Sequence, residues 1–176
     1  KKLIIFTDSG DTIIDEGTQV YDDRGIVLEA EFIPGAGEVL QQLHEEGYTI
    51  ALVADGEWES FQNVYRKNGL GYCFDAWIVS EVVGKQKPEP VMFEAAYEAL
   101  KLTDADKHRI VMIGNNLKKD IAGANRQGLI SVWLDWSPRY FHTVEEPDWA
   151  PDYTISMPSE LVPLLHGLEE KLQNEV

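Results

Sequence analysis

Short apolar runs alternate with amphipathic helical stretches along the whole chain, and this alternation restricts the fold more than any other feature. Residues 2–7 read as a buried strand, and further apolar runs follow at 48–55, 76–80, 108–114, 130–135 and 152–156. Runs that are apolar on both faces belong to a sheet covered on both sides. Helical patterns lie between them at 34–47, 57–69, 90–102, 118–128 and 158–173. Val39, Leu40 and Leu43 share a face of the first, and Phe61, Val64 and Tyr65 recur at helical spacing in the second. Gly47 and Gly128 are stop signals, and Pro163 is expected to kink the first turns of the last helix. The pattern predicts an α/β fold: a doubly wound, Rossmann-like parallel sheet with helices on both faces, joined by right-handed crossovers.

Two stretches stand outside the alternation. Residues 16–32 turn around Asp-Arg-Gly and predict a β-hairpin. Residues 136–151, rich in Pro and Trp, predict an ordered loop. Neither is long enough for a second domain, so 1–176 is expected to be one core domain with 16–32 as a flap.

Charge narrows the choice of partner. The 15 Lys and Arg face 31 Asp and Glu, a net charge of −16. That opposes a reader of nucleic-acid backbone but leaves room for a small phosphorylated molecule, which needs only local positive charge. No apolar run approaches the ~20 residues of a membrane span. The opening "KKLIIF" passes straight into acidic residues, so no signal peptide is expected, and the first residue, Lys1, implies a trimmed start. The single cysteine, Cys73, excludes an internal disulfide, makes a cytoplasmic setting the default, and reads as a packing residue among aromatics.

In an open parallel sheet, ligands bind beyond the carboxyl ends of the strands. The residues there are Asp8-Ser9-Gly10-Asp11-Thr12, Ala54-Asp55-Gly56, "SEVVGKQKP" and Gly114-Asn115-Asn116. They should converge on a crevice holding Asp8, Lys87 and Asp120. Taken singly, Asp8 reads as a cap, Lys87 as a solvated loop residue, and Asn115 and Asn116 as loop formers. Asp11 reads as a turn residue, since a one-position shift in an extended segment points it to the other face. His44, His108, His142 and His166 form no metal spacing or catalytic set. Trp136, Arg139, Tyr140 and Phe141 either contact a substrate or pack over the site, packing being favoured.

Together these segments resemble the haloacid dehalogenase-like (HAD) superfamily of phosphohydrolases, from Leu3 to about the final helix. Asp8 to Thr12 match its Asp-x-Asp-x-Thr motif, with Gly10 in place of the second Asp. Ala54-Asp55-Gly56 stand where a Ser or Thr is usual. "GKQKPEP" supplies the motif Lys as Lys87, and "GNNLKKDIAGA" supplies Asn115, in place of Asp, and Asp120.

The resemblance implies a Mg²⁺-dependent phosphatase acting on a phosphate monoester. Asp8 would be the nucleophile and form an aspartyl-phosphate, with Lys87 as the second catalytic residue. Lys87 and the Ala54-Asp55 segment would receive the phosphoryl group, helped by N–H groups of the helix after Gly56. Asp8, the Gly10 carbonyl, Asn115 and Asp120 would hold Mg²⁺. Asp120 reads equally well as a capping or surface acid.

Three departures predict a slow enzyme: Gly10 lacks the proton-transfer carboxylate, Ala54 lacks a hydroxyl, and Asn115 lacks a charge. Restoring Asp at position 10 is expected to raise turnover. A catalytically impaired phosphate- or metabolite-binding or scaffolding protein on the same fold is the alternative. Carbon–phosphorus or carbon–halogen cleavage is weaker, because relatives of those types use a cap domain and this chain has room only for a hairpin. An open, capless site suits a large substrate or completion by a neighbouring subunit, so the partners expected are a small phosphorylated molecule or a phosphorylated macromolecule, and a homo-oligomer.

Overall fold

The computed structural model describes residues 2–175. In chain order the elements are β1 (Ile4–Thr7), β2 (Val20–Tyr21), β3 (Val27–Glu29), α1 (Ala36–Glu45), β4 (Thr49–Ala54) and α2 (Trp58–Asn68). Then come β5 (Ala76–Val79), the single turn α3 (Ser80–Val83), α4 (Pro90–Leu100) and β6 (Ile110–Gly114). The chain closes with α5 (Ala122–Gln127), β7 (Ile130–Leu134), β8 (Tyr153–Ile155) and α6 (Leu161–Asn174).

Six strands form one sheet in the order β5-β4-β1-β6-β7-β8, every pair parallel. The chain winds outward from β1 in one direction through β4 and β5, then returns to its other side with β6. The doubly wound expectation therefore holds, and the order reverses between β1 and β6, where such sheets open a crevice.

Alternate residues of the strands feed two cores. Leu3, Ile5, Ile50, Leu52, Val111 and Ile113 face α1, α2 and α6, where Leu40, Leu43, Val64, Tyr65 and Leu165 cover them. Ile4, Phe6, Ala51, Val53, Ile110 and Met112 face the opposite layer, covered by Met92, Phe93 and Ala96 of α4 and Ala124 of α5. This two-sided burial explains the unbroken apolar runs. Cys73 is fully buried in the first core, as its surroundings in sequence suggest.

Local differences from the sequence reading are concentrated near the crevice. Ser80 opens α3 instead of ending the third strand, because its hydroxyl is drawn to Gly56, whose N–H donates to Ser80 Oγ at 2.8 Å. The helix expected over 118–128 begins as a wider turn, Leu117–Ile121, before α5. There the Asn116 side chain accepts from the N–H groups of Lys118 and Lys119, and the Ile121 N–H reaches back five residues to Asn116 O. Wide turns of this kind are frequent at functional sites. The 16–32 stretch is a hairpin, β2 antiparallel to β3, preceded by a tight turn over Glu16–Thr18.

Candidate active site

The crevice at the end of β1 and β6 is a cleft of about 260 Å³. Its walls include Asp8, Glu16, Asp55, Lys87, Asn115 and Lys119. Lys87 is 2% exposed, and its Nζ lies 2.9 Å from Asp8 Oδ1, 2.7 Å from Asp120 Oδ1 and 2.7 Å from Val53 O. Burial alone would favour the neutral amine. The charges of Asp120, Asp8 and Asp55 outweigh it and raise the Lys87 pKa, so the ammonium is fixed in the site. The structure thus brings together the three groups that the sequence places in this crevice.

Asp120 is engaged on both oxygens: Oδ1 on Lys87 and Oδ2 on the Asn116 N–H at 3.0 Å. The wide turn aims this carboxylate inward, against the end of β6. A Cβ on Gly114 would overlap it, with Cα–Cβ space there already taken by the acid. Of the two readings of Asp120, the surface acid is set aside, since the residue is 1% exposed.

Asp55 does not cap α2. Its Oδ1 accepts the Lys87 N–H at 3.0 Å and its Oδ2 lies 3.4 Å from Lys119 Nζ. Ala54 is buried in the core and offers no polar side-chain atom. The helix N-terminus is also less open than expected, because the Gly56 N–H goes to Ser80 and the Trp58 N–H to Glu81 Oε1 at 3.1 Å. Lys119, missed in the sequence, supplies a second cation on the cleft wall, 37% exposed at its side chain. Nothing but a helical pattern surrounded it in the sequence.

The oxygens suited to a cation are Asp8 Oδ2, the Gly10 carbonyl and Asn115. Among the described residues no three or more His, Cys, Asp or Glu are grouped as a metal site. The set here is mixed: carboxylate, carbonyl and amide, all hard oxygen donors of the kind Mg²⁺ accepts. The groups around the Asn115 amide favour its nitrogen inward when no cation is bound. With its nitrogen inward it donates to Asp8 Oδ2 at 2.9 Å and Gly10 O at 3.0 Å. With its oxygen inward, three oxygens converge and a cation is the group that satisfies them. The residues therefore fit Mg²⁺.

Asp11 behaves as the turn residue expected. It is fully buried in a left-handed conformation, φ 51°, which Asp tolerates. Its carboxylate bonds to the Glu16 N–H at 2.9 Å, to the Ser137 hydroxyl, and to Arg139 Nη1 at 3.1 Å. Arg139 also reaches Asp15 at 3.2 Å, so the 136–151 loop packs on the β1 end, as favoured. Tyr140 does both: it packs there and lines the cleft.

Glu16 was not read as a site residue. It leaves the tight turn and enters the cleft beside Gly10, where the Tyr140 hydroxyl donates to its Oε2 at 2.8 Å. Burial, opposed by the Tyr140 bond and reinforced by the charges of Asp11 and Asp8, raises its pKa from 4.5 to about 7. No local pattern marks it. The only signal was indirect: a glycine where the motif has an acid.

An Asp–Lys–Asp constellation stands at the reversal point of a doubly wound sheet, with hard oxygens beside it. A family model described as haloacid dehalogenase-like hydrolase matches residues 4–128, and the chain belongs to that family. It is 30% identical to a glyceraldehyde 3-phosphate phosphatase of Methanopyrus kandleri over 77% of this chain and 57% of that protein. The chain spans little more than half the length of the curated relatives it matches. Among solved structures, the putative HAD-hydrolase YfnB of Bacillus subtilis, bound to magnesium, is 27% identical with a TM-score of 0.67, over 77% of this chain and 56% of that one. A HAD phosphatase from Thermococcus onnurineus, 22% identical, shares the fold over 95% of this chain and 99% of its own, with a TM-score of 0.74.

Proposed function

We propose that the chain is a Mg²⁺-dependent phosphatase that hydrolyses a phosphate monoester of a small molecule through a phosphoryl group carried on Asp8. The Lys87 ammonium, buried between Asp8 and Asp120, is the observation that carries this reading. It pairs with Asp8 and supplies positive charge where phosphoryl oxygens must arrive. The phosphatase names among the relatives support the same chemistry over a scaffolding role.

Asp8 is the nucleophile and attacks phosphorus. Lys87 and Lys119 receive the phosphoryl oxygens, Lys119 taking the part left open by Ala54 and balancing Asp55. Asp8, the Gly10 carbonyl and Asn115 would hold Mg²⁺, and Asp120, named with them from the sequence, pairs with Lys87. When bound, Mg²⁺ supplies charge neutralisation that lets two anions meet.

A second cavity of about 300 Å³ adjoins the cleft and shares Gly10, Glu16, Asp55 and Gly56 with it. Its lining carries Glu16, Asp55 and Glu57 and no Lys or Arg. It suits a neutral or cationic alcohol and disfavours a second phosphate. The hairpin and the 136–151 loop border the site, and we take them to stand where larger relatives have a cap. Among the described residues no helix is long and apolar enough to cross a membrane. A cytoplasmic setting is part of the proposal, supported by a single, buried thiol.

The test is hydrolysis of p-nitrophenyl phosphate with and without Mg²⁺, beside Asp8→Asn. Metal-dependent turnover that disappears in Asp8→Asn is expected. Turnover that survives the substitution removes Asp8 as nucleophile.

A further inference from the structure

Gly10 poses a question that backbone geometry does not answer. Its φ lies outside the left-handed range, so the conformation does not require glycine. The space does. A Cβ built on Gly10 would fall against Glu16 Oε1, with Glu16 Cδ at 2.9 Å and Cγ at 3.0 Å. Glu16 fills the volume that a side chain at position 10 would occupy, and it does so from another segment of the chain.

The surroundings hold it there. The Glu16 N–H donates to Asp11 Oδ1 at 2.9 Å, which anchors the backbone. The Tyr140 hydroxyl bonds to the carboxylate at 2.8 and 3.0 Å, which anchors the head group. Glu16 also lines both cavities, the cleft with Asp8 and Lys87 and the adjoining one between hairpin and α2. A phosphate monoester bound with phosphorus at Asp8 and its alcohol in the adjoining cavity has its bridging oxygen at the boundary Glu16 guards.

We propose that Glu16 is the proton-transfer residue of this site, delivered by the tight turn before the hairpin into the space beside Gly10. The inference rests on the phosphatase reading and adds the missing group to it. In the first half-reaction an Asp8 oxygen forms a bond to phosphorus and the phosphorus–alcohol oxygen bond breaks. The Glu16 carboxyl gives its proton to that oxygen, releasing the alcohol. In the second half, Glu16 carboxylate takes a proton from water. The water oxygen bonds to phosphorus, the bond to Asp8 breaks, inorganic phosphate leaves, and Glu16 is again protonated. Gly10 and Glu16 are then one paired replacement: the glycine makes room for the glutamate.

The experiment compares two substrates with leaving groups of different need, p-nitrophenyl phosphate and glycerol phosphate, in the wild type, Glu16→Gln, Gly10→Asp and Gly10→Asp/Glu16→Ala. Both steady-state turnover and the pre-steady-state burst of p-nitrophenolate are read. Glu16→Gln should lower glycerol phosphate turnover by about 10²–10⁴-fold. Its p-nitrophenolate burst should fall far less, because that leaving group needs no proton, while phosphoenzyme accumulates behind it. Gly10→Asp alone should gain nothing, since two carboxylates compete for one space, whereas the double variant should recover activity on glycerol phosphate. A p-nitrophenolate burst that falls as far as glycerol phosphate turnover, or unchanged glycerol phosphate turnover in Glu16→Gln, overturns the role of Glu16 while leaving the phosphatase reading intact. A wild type that turns over neither substrate with Mg²⁺ overturns that reading, and this inference with it.

Discussion

Lys87 and Glu16 reach the same cleft from opposite kinds of structure. Lys87 sits at the floor, 2% exposed, gripped by two carboxylates and a strand carbonyl, with its own N–H held by Asp55. Glu16 hangs from a three-residue turn before the hairpin and is steadied by Tyr140, which lies 124 residues along the chain. The difference follows from what each group must do. A neutralising cation must be dehydrated and immobile, so it needs the core around it, and its flanking residues are tied to the strands. A proton-transfer group needs only to stand within hydrogen-bond reach of the reacting oxygen. Any segment that can arrive there will serve. The core half of such a site therefore leaves a local motif, and the peripheral half does not.

The comparison can be broken at its strong end first. Lys87→Met should leave Asp8 and Asp120 facing one another without a counter-charge. Breaking a buried pair in this way costs about 3–5 kcal/mol. Urea denaturation should show that loss together with loss of turnover; full stability in Lys87→Met would mean the two acids do not depend on the lysine. At an intermediate level, Asn115→Asp removes the amide donor from Asp8 and Gly10 and adds a ligand charge. Mg²⁺ affinity, read by calorimetry, should rise by roughly tenfold or more, since ligand charge count tunes such sites. Unchanged or weaker affinity would place the ion away from Asn115. The smallest effect belongs to the periphery. Tyr140→Phe deletes one hydrogen bond to Glu16, worth about 1 kcal/mol, and should slow glycerol phosphate turnover by about fivefold with thermal stability nearly unchanged. A large loss of stability instead would make Tyr140 a packing residue of the 136–151 loop and nothing more.

The corrections to the sequence reading follow the same division. Lys87 was visible through "GKQKPEP" and Asp120 through "KKDIAGA", because both lie in segments whose local sequence builds their own geometry. Asp55 was visible as a strand-end acid, but its partners, the Lys87 N–H and Lys119, come from other segments, so its pairing is not legible along the chain. Gly10 looked like a loss when read along the chain. In space the volume beside it holds Glu16, and under the proposed role of that residue Gly10→Asp alone brings no gain.

Alone, the order of residues determined the sheet, its winding and the floor of the site. Apolar runs with no polar alternation must be buried on both faces, and a strand followed by a helix must cross over in one sense. Those constraints act over a few residues to a few tens of residues and can be read directly. Only the tertiary structure decided which acid stands beside Asp8. The position of Glu16 depends on the Asp11 carboxylate that holds its N–H, on Tyr140 from the far loop, and on the empty volume at Gly10. Each is a contact between segments whose spacing in sequence carries no period, and the packing of the closed chain sets all three at once.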